Sequence, residues 1–174
     1  MKAIEIERIP LLRCEKIIST LAGAFGGSLR ETRLTALLGY IIALHPEPFF
    51  PLLGFKGKLL DVSLESSFDK NRTDILVKTS EGDGIIEAKV NSIDPFKQSL
   101  KYNARWRVLL TQNIAHSHRN KPRNVKYLRW QDVARILIRL KTSNNAIVKF
   151  LSNDLLHYLE EHQMIRSGFI SCCK

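Results

Sequence analysis

Two carboxylates and an amine stand on two neighbouring strand-like runs, Asp74 in residues 72–78 and Glu87 with Lys89 in residues 84–90. Side chains along a strand alternate between its faces. Glu87 and Lys89 therefore share a face with Ile85, opposite Ile86, Ala88 and Val90. In the first run Asp74 shares a face with Leu76 and Lys78, opposite Thr73, Ile75 and Val77. Acids where a strand should pack a core need a reason, and oxygen ligands converging on a small hard cation supply one. A bound Mg²⁺ or Mn²⁺ activates a water and relieves charge on a phosphodiester. An amine beside it positions or helps deprotonate that water and offsets charge in the transition state.

Ser80-Glu81-Gly82-Asp83-Gly84 lies between the runs and is rich in residues that tolerate positive φ, which predicts an antiparallel hairpin. A register with Leu76 opposite Glu87 sets Asp74 opposite Lys89 and diagonal to Glu87, all three on one face. Diagonal neighbours lie roughly 7–8 Å apart at the backbone, a gap that two carboxylates and one cation span. A slip of one residue would send Asp74 to the other face. Beside this reading stands a plainer one, in which Asp74 bonds in a turn and Glu87 with Lys89 form a solvated strand face.

The elements that must position these residues follow from periodicity. Leu11, Leu12, Ile17, Ile18 and Leu21 have helical spacing, predicting an N-terminal helix over 11–25 that ends at Gly26-Gly27. A second helix over 29–44 carries the stripe Leu34, Leu37, Leu38, Ile41 and Ile42 and stops before Pro46. Glu31 falls on that stripe. Two readings of it stand together, a site carboxylate and a capping box with Ser28. Residues 58–65 alternate as a strand before the hairpin. Asp94-Pro95 opens a short helix to about 105, with Gln98, Tyr102 and Arg105 in one stripe. Strands over 108–111 and 125–130 follow, then helices over 132–141 and 146–164. No internal repeat appears. The small-residue run 22–27 is not a phosphate loop, since no Gly-Lys-Ser or Gly-Lys-Thr follows it.

Composition narrows the class. A chain of 174 residues with 44% apolar content suits one domain over 1–174 with a real core. Three cysteines, two of them adjacent near the C-terminus, make a poor disulfide framework, and no Cys/His spacing matches a structural zinc site. Without a membrane-length apolar run or a signal-peptide layout, the expectation is a soluble, cytoplasmic protein with no membrane partner. The net charge of +10 points to a polyanion, nucleic acid first, or to a basic surface kept for solubility. Arg119, Lys121, Arg123 and Lys126 concentrate that charge between two strands, as candidate phosphate contacts. Arg72 is either a further contact or the ion-pair partner of a nearby acid.

A helix with Glu31, a strand, a strand with Asp74, a strand with Glu87-Ala88-Lys89, a helix with Gln98 and Tyr102, two strands and a helix: this order resembles the PD-(D/E)XK nuclease superfamily, from about Ser28 to Lys141. Thr73 occupies the place of the motif's proline, which is widely replaced in that family. The resemblance implies an α/β fold whose central mixed sheet of four to five strands is flanked by helices, with the core over about 28–141. It implies Mg²⁺ (or Mn²⁺) held by Asp74, Glu87 and the backbone carbonyl of Ala88. Glu31 would act through water or a second metal, Gln98 would orient water or substrate, and Tyr102 would wall the site. The activity implied is a metal-dependent nuclease, DNA favoured over RNA. The alternatives are a binding module or an interaction subunit that keeps the fold without cutting, working as a homodimer or beside a partner subunit.

Overall fold

The structure, a computed structural model, describes residues 11–13, 16–17, 30–68, 71–89, 102–112, 122, 124–161 and 163–165. The elements in chain order are β1 (Leu11–Arg13), β2 (Lys16–Ile17), α1 (Arg30–Leu44), α2 (Phe49–Leu53), β3 (Leu59–Phe68), β4 (Asn71–Thr79) and β5 (Gly82–Lys89). They continue with β6 (Trp106–Thr111), β7 (Lys126–Arg129), α3 (Trp130–Leu140) and α4 (Ala146–Glu161). The architecture is α/β, a central mixed sheet with helices against it, as the sequence predicts.

All five predicted strands are present as β3 to β7, and the sheet is extended to seven in the order β2-β1-β3-β4-β5-β6-β7. The three central pairings, β3 with β4, β4 with β5 and β5 with β6, are antiparallel, antiparallel and parallel. The two extra strands correct the expected helix over 11–25: Leu11, Leu12 and Arg13 lie parallel to Val62, Ser63 and Leu64, and Lys16 and Ile17 fold back on them. Helical spacing was real there, but the open edge of β3 offers ladder partners that local propensity does not see. Residues 18–25 lie outside the described residues.

The helices cover one face. On α1, Leu34, Leu37, Leu38, Ile41 and Ile42 are buried at helical spacing against Val62, Leu64, Ile75 and Val77 of the sheet. Gly39 lets this helix approach closely, since a Cβ there would lie 2.6 Å from Leu64 Cδ2. α3 starts at Trp130 because Asp132 Oδ2 accepts from the Arg129 N–H at 2.9 Å, a cap that the apolar stripe alone did not reveal. α4 starts after Asn145, whose Oδ1 accepts from the N–H groups of Ile147 and Val148 at 3.0 and 3.2 Å. It buries Val148, Leu151, Leu155, Leu156 and Leu159 in the same core.

On the opposite face of the sheet the described residues form a smaller cluster. Leu76, Ile85, Tyr102 and Ala104 form a second small cluster there, with Phe68 packed against it. Residues 102–105 are not helical, which corrects the C-terminal end of the helix expected to about 105; residues 94–101 lie outside the described residues. Among the described residues no helix is long and apolar enough to cross a membrane.

Candidate active site

The site begins with the turn of the β4–β5 hairpin. Thr79 pairs with Gly82, so the loop is only Ser80-Glu81, and Gly82 takes a φ of 139° that favours glycine. Thr79 Oγ1 ties the turn, accepting from the Glu81 N–H at 3.1 Å and donating to the Gly82 carbonyl at 3.0 Å. This tight turn fixes the register. Leu76 pairs with Ile85 and Ile75 with Ile86, which corrects the expected Leu76–Glu87 pairing. A Leu76–Glu87 register would set Thr79 opposite Gly84 and need a longer loop, and loop length sets register. One step further along, Asp74 faces Glu87 directly rather than diagonally.

There the ladder stops. Ile75 and Ile86 are the last pair, although β4 extends back to Asn71 and β5 on to Lys89. The strands fork, and carboxylates stand in for backbone partners. The Ala88 N–H donates to Asp74 Oδ2 at 2.8 Å, and the Asp74 N–H donates to Glu87 Oε1 at 3.3 Å. Alternation sends Thr73, Ile75, Ile86 and Ala88 inward beneath the helices, all fully buried. Asp74, Glu87 and Lys89 share the other face, beside Leu76 and Ile85.

Glu87 is the extreme case. Its side chain is 0% exposed, and Oε2 has no hydrogen-bond partner; the Lys89 Nζ lies 3.9 Å from it. Burial first, and then the negative charge of Asp74, push its carboxyl up to about 7. The Tyr102 hydroxyl, the Lys89 charge and the Asp74 N–H all act the other way. Tyr102 also donates its hydroxyl hydrogen to the Arg72 carbonyl, holding the chain ahead of β6 against the mouth of the fork. A buried carboxylate oxygen facing an ammonium, next to a second carboxylate, is a hard-oxygen donor set that fits Mg²⁺ or Mn²⁺. Among the described residues no three His, Cys, Asp or Glu side chains gather as a group that could hold a metal ion.

Glu65 is a residue that the sequence reading passed over. It lies between Leu64, paired with Ile75, and Ser66, paired with Thr73, which sets it beside Asp74 on the side away from Glu87. Its φ of 49° breaks the regular strand, and its carboxylate meets Arg72 at 2.8 Å. Alternating polar residues Asp61, Ser63, Glu65 and Ser67 were the available signal. Arg72 thus is an ion-pair partner, with its side chain two-thirds exposed.

Not every candidate gathers here. Lys126 lies on the helix side of the sheet, at the start of β7, with its Nζ donating to the Pro51 carbonyl at 3.4 Å. Glu31 stands in the first turn of α1, which packs on the face opposite Asp74 and Glu87; its side chain lies outside the described residues. Gln98, Arg119, Lys121 and Arg123 also lie outside them. No family model matches this chain, and no curated protein or solved structure matches it either. The functional reading rests on the chemistry of Asp74, Glu87 and Lys89.

Proposed function

We propose that this protein is a metal-dependent nuclease of the PD-(D/E)XK type, hydrolysing phosphodiester bonds in nucleic acid, DNA in preference to RNA. The observation that carries the reading is the fork in the β4–β5 hairpin, where Asp74 and Glu87 face each other with Lys89 beside them. Two buried or half-buried acids at the end of a strand ladder weaken a hairpin unless they have other work. The net charge of +10 supports a polyanionic substrate.

Asp74 and Glu87 would hold Mg²⁺ or Mn²⁺, with the Ala88 carbonyl as a third protein ligand. The cation, when bound, supplies charge for the phosphate and acidifies a water. The chain's own residues do the rest. The Ala88 N–H fixes the Asp74 carboxylate through Oδ2. Glu87 must give up its proton near neutrality before it can act as a ligand. The Lys89 ammonium orients the attacking water and offsets charge on the phosphate in the transition state. Tyr102 walls the site and excludes solvent from Glu87.

The test is cleavage of single- and double-stranded DNA and RNA with Mg²⁺, Mn²⁺ or EDTA. Wild type should cut with either metal and not in EDTA, and Asp74→Asn and Lys89→Ala should each lose about 10²-fold or more. Cutting that persists in both variants overturns the site. A wild type that binds nucleic acid in a salt-sensitive way and never cuts replaces this reading with a binding module.

A further inference from the structure

The strands beyond Lys89 extend the site face into a row of cations. In the parallel strands Glu87 aligns with Leu109 and Tyr127, and Lys89 with Thr111 and Arg129. Leu110 and Leu128 belong to the helix-side core, so Thr111 and Arg129 point to the face that carries Asp74 and Glu87. Neighbouring strands lie about 4.8 Å apart, which sets Lys89 and Arg129 roughly 10 Å apart at the backbone, two strands along one row. Arg72 extends the same pattern on the other flank, two residues from Asp74 as Lys89 is two from Glu87. An acid row and a basic row therefore run side by side.

Arg129 has donors to give. Its side chain is 42% exposed, and its buried Nε has no hydrogen-bond partner. The nearest carboxylate is Asp132, with Oδ1 3.6 Å from the guanidinium. Both Asp132 oxygens are already engaged, Oδ2 by the Arg129 N–H at 2.9 Å and Oδ1 by Arg135 at 3.0 Å. A guanidinium held at the rim of a sheet by one long ion pair to a carboxylate that is already shared, and 42% exposed, keeps charge and donors to offer a phosphate.

We infer that Arg129 is a phosphate-binding residue of the substrate groove. One nucleic-acid backbone crosses β5, β6 and β7, with the reacting phosphate at the fork and a neighbouring phosphate of the same strand on Arg129. The inference rests on the nuclease reading for its substrate and extends it to a direction of approach.

The test is binding of a fluorescein-labelled DNA oligonucleotide, single-stranded and duplex, by anisotropy in EDTA across a potassium chloride series. Arg129→Gln should weaken binding about tenfold and lower the slope of log K against log salt by about one. Arg129→Lys should restore the slope, and Lys149→Gln, exposed on the far side in α4, should change neither quantity. A wild-type affinity and slope in Arg129→Gln, or an equal loss in Lys149→Gln, overturns the inference. Metal-dependent cleavage run alongside keeps the two readings apart. Normal binding by Arg129→Gln with cleavage abolished in Asp74→Asn ends the phosphate contact and keeps the nuclease; a slope lowered in Arg129→Gln beside a wild type that never cuts does the reverse.

Discussion

At the scale of single residues, Glu87 makes the sharpest claim, because its burial has a pH signature. Its carboxyl is raised from 4.5 to about 7 in the folded chain. Below pH 4.5 it is protonated in both folded and unfolded chains and contributes no difference. Between pH 4.5 and 7 the unfolded chain has shed the proton and the folded chain has kept it, so stability falls as pH rises, levelling above 7. The full loss is on the order of 3 kcal/mol. Urea unfolding of the metal-free protein should show that loss between pH 5 and pH 8. Glu87→Gln, which retains an acceptor for the Asp74 N–H, should flatten the profile and be the more stable form at pH 8. A wild-type stability that rises across this window contradicts the assignment. Asp74, Glu87 and Lys89 were legible as a set because alternation alone puts them on one face. Glu65 and Arg129 were not. Glu65 needs a backbone φ of 49° to be seen as irregular, and Arg129 needs two parallel pairings to be aligned with Lys89.

At the scale of elements, the close approach of α1 to the sheet has a testable cost. Gly39 has no room for a side chain, with Leu64 Cδ2 at 2.6 Å and Val62 Cγ1 at 3.6 Å from the position of a Cβ. Gly39→Val should lower stability by about 1–3 kcal/mol in denaturant unfolding, through overpacking against β3. An unchanged midpoint would mean that Leu64 swings aside freely. The five long strands were readable from alternation and turn residues. What misled was non-local: β1 takes its partners from β3, some fifty residues on in the chain, so apolar spacing over 11–25 could not reveal it. The hairpin register missed by a different route, since Ser80, Gly82, Asp83 and Gly84 are all turn formers and do not say which two positions will form the loop.

At the scale of the molecule, the helix-side core is shared by segments far apart in the chain. α4 closes it, burying five aliphatic side chains against α1 and α3. The Gln112 side chain meets the Gln163 carbonyl at 2.8 Å, which links the region after α4 to the end of β6. α4, which follows the stretch of about 28–141 that carries the resemblance, adds its side chains to the same hydrophobic core. A chain ending at Asn144 should lose cooperative unfolding and expose apolar surface, read as a broad thermal transition and dye binding. A sharp transition near that of the full chain would show that α4 is dispensable. Among the described residues the helix side of the sheet holds the large core, and the opposite face, which carries Asp74 and Glu87, holds the small cluster around Tyr102.

The fork between β4 and β5 also bears on how such a protein can change over generations. Its acids close the end of a ladder, and in the proposed nuclease they would also hold a cation, so the two duties separate by substitution type. An amide in place of Asp74 still accepts from the Ala88 N–H and leaves the hairpin closed, whereas alanine orphans that donor and unzips it. If the proposed nuclease reading holds, drift from cutter to mere binder is open through one aspartate-to-asparagine step that the fold barely registers, and closed through alanine.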